Sequence, residues 1–220
     1  MGRVRAVVFD MDGLMFNTED VYWEVGDAIL RRRGHAFDDP LCAAMMGRPP
    51  RAAFEIMIRY HALSDSWEQL YVESQDEFIA RLDSSLAPMP GLMDLLERLE
   101  QAQIPKAIGT SSGRRLVDAV LSRFNLQPRF QFILSAEDIT RGKPDPEIYL
   151  KAAQRFELAP AEVLVLEDSQ NGCQAAASAG TWAVAVPGDH SRGQDFSMAT
   201  LVIDSLADAR LYAALGLVQG

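Results

Sequence analysis

Six short runs rich in Val, Ile and Leu recur along the chain, at Arg5 to Asp10, Lys106 to Thr110, Phe132 to Ser135, Val163 to Asp168, Trp182 to Val186 and Leu201 to Asp204. Their length and apolar content read as buried strands. Segments of helical period fill the intervals. Leu92, Leu95, Leu96 and Leu99 follow Pro90-Gly91, and Leu116, Val117, Val120, Leu121 and Phe124 follow Gly113. Asp145-Pro146 opens a further helix, with an N-cap residue followed by proline at the first helical position. This alternation predicts an α/β protein with a mainly parallel sheet.

Residues 16–86 depart from the pattern because they contain no convincing strand. They read as an all-helical insertion, which leaves 1–15 and 87–220 as the α/β core. Asn17-Thr18 caps a first helix that ends with Arg31-Arg32-Arg33 before Gly34, a basic run and a glycine being the usual C-terminal signals. Asp39-Pro40 starts a short second helix that stops at Gly47, a third follows Pro49-Pro50, and Ser66 with Gln69 forms a capping box for a fourth carrying Trp67, Leu70, Tyr71, Phe78 and Leu82. Strand-like crossings near 14–17 and 84–89 join the insertion to the core.

The 220 residues, 48% of them hydrophobic, suffice for a sizeable core. No apolar run is long enough to span a bilayer, and the N-terminus enters a strand without the features of a signal peptide, so a soluble, cytoplasmic protein is expected. A monomer is expected too. The net charge of −10 disfavours nucleic acid and anionic membranes as partners. An anionic small substrate would need a divalent cation and a few placed basic residues against that field. Cys42 and Cys173 lie far apart and outside any metal-binding pattern, as do His35, His61 and His190, which argues against a zinc site or a disulfide framework. Each histidine is expected on the surface or in a loop.

Chemistry-bearing residues gather where four of the strands end. The first strand runs into Asp10-Met11-Asp12-Gly13. Side chains two residues apart in extended chain share a side and lie about 6.5 to 7 Å apart, so the two carboxylates can straddle one phosphoryl group. Asp-Gly is equally a common turn. The second strand breaks into Thr110-Ser111-Ser112-Gly113 before a helix, a ready phosphate cradle or an ordinary cap. Gly142-Lys143-Pro144-Asp145-Pro146 holds a lysine at a fixed place before a helix, where a solvated loop lysine is the plainer reading. The fourth run, Val163 to Leu166, ends in Glu167-Asp168, oxygen donors of the type Mg²⁺ takes. In an open parallel sheet ligands bind beyond the carboxyl ends of strands, and all four elements sit there.

The order Asp10-x-Asp12-Gly, Thr110, Lys143-Pro and Glu167-Asp168 resembles the haloacid dehalogenase-like hydrolase superfamily over nearly the whole chain. The insertion is similar to the cap of the subgroup containing β-phosphoglucomutase, phosphoglycolate phosphatase and small sugar phosphatases. The resemblance implies a Rossmann-like core with helices on both faces and an Mg²⁺-dependent phosphatase of a small phosphorylated metabolite. It makes Asp10 the nucleophile that forms an aspartyl-phosphate and Asp12 the acid and base. Thr110, with Ser111 beyond it, would hold phosphoryl oxygens, and Lys143 would neutralise charge on nucleophile and phosphate. Asp10, the Asp12 carbonyl and Asp168 would ligate the metal, with Glu167 as a ligand or an acceptor beside it.

The alternative is a sugar-phosphate mutase. Relatives of that kind carry a histidine where Tyr22 stands and a lysine where Met46 stands, which weakens the alternative. Only Arg48 and Arg51 remain to hold a second phosphate, and they equally suit a solvated helix start. Asn17 replaces the usual Asp at its position and keeps its capping shape. Tyr22, Arg48, Arg51 and Trp67 are the candidates for substrate choice, and all four equally suit packing or surface roles. A non-catalytic phospholigand binder is disfavoured by intact Asp10, Asp12, Lys143 and Asp168.

Overall fold

In the computed structural model the described residues are 4–45, 48 and 50–217. Six strands among them form one parallel sheet: β1 (Ala6–Phe9), β2 (Lys106–Gly109), β3 (Ile133–Leu134), β4 (Val163–Glu167), β5 (Trp182–Ala185) and β6 (Leu201–Val202). Their spatial order is β3-β2-β1-β4-β5-β6. Two edge strands are shorter than their apolar runs, because β3 and β6 each pair on one side only.

The helices are α1 (Thr18–Arg31), α2 (Asp39–Met45), α3 (Pro50–His61), α4 (Trp67–Arg81), α5 (Leu92–Gln101), α6 (Arg114–Arg123), α7 (Glu147–Arg155), α8 (Gln170–Ser178) and α9 (Ala209–Leu215). On one sheet face, Ile148, Tyr149, Ala152 and Ala153 of α7 and Ala175 and Ala176 of α8 pack with Val8, Val163, Val165 and Ala183. Burying one large apolar side chain of this kind contributes about 2 kcal/mol. Phe9, one residue on from Val8, points to the other face and meets the Phe130 ring edge-on at 5.9 Å. Right-handed crossovers place α5 and α6 on that second face, since the chain leaves β1 in the opposite sense.

Register decides where the chemistry falls. Phe9 lies opposite both Ile108 and Leu166, and the Asp10 amide donates to the Leu166 carbonyl at 2.9 Å. The next residues of three neighbouring strands, Asp10, Gly109 and Glu167, therefore emerge at one level. Successive connections diverge at β1, so this level is also the sheet's topological switch point.

The chain divides into two compact units, Met1–Asn17 with Ala87–Gly220, and Thr18–Leu86. The second holds α1 to α4. Its capping box is present in full: the Ser66 hydroxyl accepts from the Gln69 amide, and the Gln69 side chain accepts from the Ser66 amide. Arg33 ties α1 to α4 through Asp65 and Glu73, each at 2.7 Å. Helix α7 begins at Glu147, one residue later than its Asp-Pro signal implies, and the Asp145 carboxylate still accepts from the Glu147 amide at 3.0 Å. His61, expected on the surface or in a loop, is half-buried at a helix end. It ends α3 with its ring 4.6 Å from that of His35, and its Nε2 is buried. Met46, Gly47 and Pro49, on which the second helix stop and one mutase comparison rest, lie outside the described residues.

One ion pair at the lower edge of the sheet yields a pH prediction. Arg129 grips both oxygens of Glu100 at 2.7 and 2.8 Å, and Lys106 adds a contact at 2.9 Å. Arg129 above all, with Lys106, holds the Glu100 carboxyl down at about 2 against an ordinary 4.5. A depressed carboxyl stabilises the fold above its ordinary value and loses that contribution as pH falls towards about 2. The side chain is 42% exposed, so solvent screening cuts the contribution to about 1 kcal/mol. Glu100→Gln is expected to unfold at lower urea than the parent at pH 7, with the gap closing from pH 4.5 downwards. A gap that ignores pH would refute this.

Candidate active site

Asp10 leaves β1 and is 5% exposed; Glu167 at the end of β4 is fully buried and Asp168 is 4% exposed. One oxygen from each lies within 4.8 Å of the others. Lys143 reaches into this group from the loop before α7. Its Nζ donates to Asp10 Oδ1 at 2.5 Å, to Glu167 Oε1 at 2.6 Å and to the Gly109 carbonyl at 3.1 Å. The lysine thus binds the ends of three adjacent strands together. The Lys143-Pro144 peptide is cis.

The electrostatics are those of a crowded acid cluster. Burial pushes the Asp10 carboxyl well above the usual range, Lys143 pulls it down, and Glu167 and Asp12 push it up further. Burial opposes the charge on Lys143, but Asp10 and Glu167 outweigh it and hold the ammonium well above the ordinary lysine value. Asp10 and Glu167 share the Lys143 ammonium, and Asp168 brings a third carboxylate to the group. Three buried carboxylates within 4.8 Å of one another form an all-oxygen donor set of the kind a hard divalent cation takes.

Asp12 stands beside this cluster in a different setting. Its Oδ2 accepts from the Thr110 hydroxyl at 3.0 Å and the Ser112 hydroxyl at 2.8 Å. Its Oδ1 is buried without a hydrogen-bond partner among the described residues. The Thr110 hydroxyl also accepts from the Ser112 amide at 3.0 Å. Thr110, expected to serve phosphoryl oxygens, therefore orients Asp12 as well. Ser111 is exposed, and the neighbouring Ser112 is the serine that reaches the cluster.

Two glycines make room for the acids. Gly13 has φ +73°, a left-handed conformation that the tight return from Met11 to Phe16 needs, and a Cβ there would lie 2.2 Å from Asp168 Oδ2. At Gly172 in α8 a Cβ would lie 1.9 Å from Glu167 Cδ and 2.0 Å from both its oxygens.

The sheet ends bring together Asp10, Asp12, Thr110, Lys143, Glu167 and Asp168. Tyr22, Arg48 and Arg51 belong to the helical unit. Tyr22 packs its ring 4.7 Å from that of Phe78, Arg48 donates to the Ala44 carbonyl at 2.7 Å, and Arg51 pairs with Glu55 at 2.9 Å. Trp67 is half-buried beside Tyr71. Ser112 and Tyr149 are the contacts that sequence reading missed. Tyr149 is fully buried, and its hydroxyl donates to Glu167 Oε1. Ser112 carried a weak signal as part of a hydroxyl run before a helix, whereas Tyr149 reads simply as core.

Comparison with known proteins agrees with this geometry. A family profile described as haloacid dehalogenase-like hydrolase matches residues 7–186. A phosphorylated carbohydrates phosphatase of Thermotoga maritima is 33% identical over 177 residues, covering 80% of this chain and 82% of that protein. A (DL)-glycerol-3-phosphatase of Arabidopsis thaliana is 34% identical over 220 residues, covering 94% and 89%. The crystal structure of CbbY from Rhodobacter sphaeroides in complex with phosphate superposes with a TM-score of 0.86 at 25% identity, covering 97% of this chain and all of that one. Among the described residues no helix is long and apolar enough to cross a membrane.

Proposed function

This chain belongs to the haloacid dehalogenase-like hydrolase family, and on that premise we propose that it is an Mg²⁺-dependent phosphatase of a small phosphorylated metabolite, working through an aspartyl-phosphate. The observation that carries the reading is the buried junction in which Lys143 binds Asp10 and Glu167 with Asp168 in reach. A buried lysine between carboxylates is costly to assemble for stability alone, because each ion must be desolvated. At the carboxyl ends of a parallel sheet it suits charge stabilisation of phosphoryl transfer.

Asp10 supplies a carboxylate oxygen to phosphorus, and the bond to the ester oxygen breaks. Asp12 gives its proton to that departing oxygen. Water then surrenders a proton to Asp12 and attacks phosphorus, which frees inorganic phosphate and restores Asp10. The lone Asp12 Oδ1 is the atom that carries the proton, while Thr110 and Ser112 hold the other oxygen still. Lys143 balances charge on Asp10 and on the phosphoryl group throughout. Asp10, Asp168, Glu167 and the Asp12 carbonyl are the groups that would hold Mg²⁺, which would lower the repulsion between the nucleophile and an anionic ester. We assign substrate choice to residues 16–86 as a cap, with Tyr22, Arg48 and Arg51 as its candidates.

Incubation with a panel of phosphorylated sugars and polyols is expected to release inorganic phosphate with Mg²⁺, and to fall by about 100-fold or more on chelation. No release from any phosphomonoester, or release indifferent to chelation, would overturn the reading. Interconversion of hexose 1- and 6-phosphates without net phosphate release would assign a mutase instead.

A further inference from the structure

Glu147 opens α7, four residues beyond Lys143, and is 8% exposed. An acid in the first turn of a helix ordinarily faces water and complements the helix dipole. This one turns back onto the loop that precedes it. Its carboxylate accepts from the Thr140 amide at 3.0 and 3.1 Å, from the Thr140 hydroxyl at 3.0 Å and from the Arg141 amide at 2.8 Å. Lys151, one turn along α7, adds an ion pair at 2.6 Å and also donates to the Asp138 carbonyl at 2.8 Å. Lys151 and the loop donors, led by Lys151, keep the carboxyl at about 2, so the clamp stays charged at working pH.

The clamp ends two residues before Lys143. On its other side Asp145 closes the same loop, accepting from the Glu147 amide at 3.0 Å while its own amide donates to the Gly142 carbonyl at 3.1 Å. Between these two ties stands Gly142, whose absent side chain would touch nothing within 4 Å. With no packing at Gly142, the main chain on either side of it is held by those ties, while the lysine's own end is held by Asp10, Glu167 and the Gly109 carbonyl.

We infer that Glu147 is a positioning residue for the phosphatase reaction: it fixes the main chain of Thr140 and Arg141 and so sets where the Lys143 ammonium stands relative to Asp10. The inference rests on the reading of Lys143 as the charge-stabilising group of a phosphatase. As the nucleophile gives up its charge to the phosphoryl bond, the pull of Asp10 on Lys143 weakens, and the loop then joins Glu167 and the Gly109 carbonyl in holding the ammonium in place.

Two variants test it. Glu147→Gln keeps shape but leaves one carbonyl oxygen where two accepted, and Thr140→Val removes one donor from the opposite side. With the substrate that the parent turns over best, Glu147→Gln is expected to lower kcat about tenfold and Thr140→Val about threefold, with KM within about threefold for both. Amide exchange at Thr140 and Arg141 is expected to quicken in Glu147→Gln. Variants that lose thermal stability but keep the parent kcat, or that change KM alone, overturn the inference and leave Glu147 a structural residue. A parent without phosphatase activity would instead defeat the functional reading on which it rests.

Discussion

Asp10→Asn is expected to lose at least about a thousandfold of turnover while the protein stays folded. The amide has the carboxylate's shape, and its oxygen can still accept from Lys143, but it has no anionic oxygen to offer phosphorus. Stability is expected to hold because Asp10 in the parent is a desolvated carboxyl crowded by Glu167 and Asp12, so a neutral isostere relieves repulsion as it forfeits attraction to Lys143. Lys143 keeps Glu167 and the Gly109 carbonyl as acceptors. Thermal unfolding with phosphate release on the same preparation checks both halves. A folded variant with substantial turnover would overturn the nucleophile assignment.

Gly172→Ala is the second large effect, and its direction is set by a contest of magnitudes. Alanine is the better helix former by about 1 kcal/mol, so propensity alone predicts a more stable protein. The added methyl would stand 2.0 Å from the Glu167 oxygens, inside any tolerable contact. Glu167 has no free direction to move. Its Oε1 takes Lys143 and Tyr149, and its Oε2 takes the Ser169 hydroxyl. Overpacking of a tight site costs about 1 to 3 kcal/mol, and displaced buried donors add to it. A net loss of about 2 kcal/mol is expected from denaturant unfolding, with kcat lowered about 100-fold as Lys143 follows Glu167. A variant as stable and as active as the parent would show that Glu167 can shift without consequence.

The parallel sheet was legible because strands covered on both faces write themselves as short apolar runs, and because each functional run changes character abruptly at its end. Asp10, Glu167 and Asp168 were findable for that reason: a charged residue directly after a buried strand has no packing explanation. Lys143 stood out differently, as a lysine between glycine and proline just before a helix. Ser112 was not singled out, since in Thr110-Ser111-Ser112 only the loop's backbone decides which hydroxyl turns towards Asp12. Tyr149 and Glu147 were invisible for another reason. A tyrosine on a buried helix face and an acid in a first helical turn each satisfy an ordinary rule, and their tertiary hydrogen bonds leave no trace in the order of residues. Gly172 did carry a signal, as an isolated glycine inside a helix, which commonly marks a close approach. Tyr22, Arg48 and Arg51 stayed undetermined because helical period alone does not say which side of an insertion faces a substrate.

Covalent capture on Asp10 tests the central claim most directly. During steady-state turnover of a radiolabelled small phosphomonoester with Mg²⁺, acid quenching and peptide mapping are expected to find hydroxylamine-labile phosphoryl label on the peptide carrying Asp10, and none in Asp10→Asn. Active protein that never carries label there, or label that persists in the variant, would contradict the account.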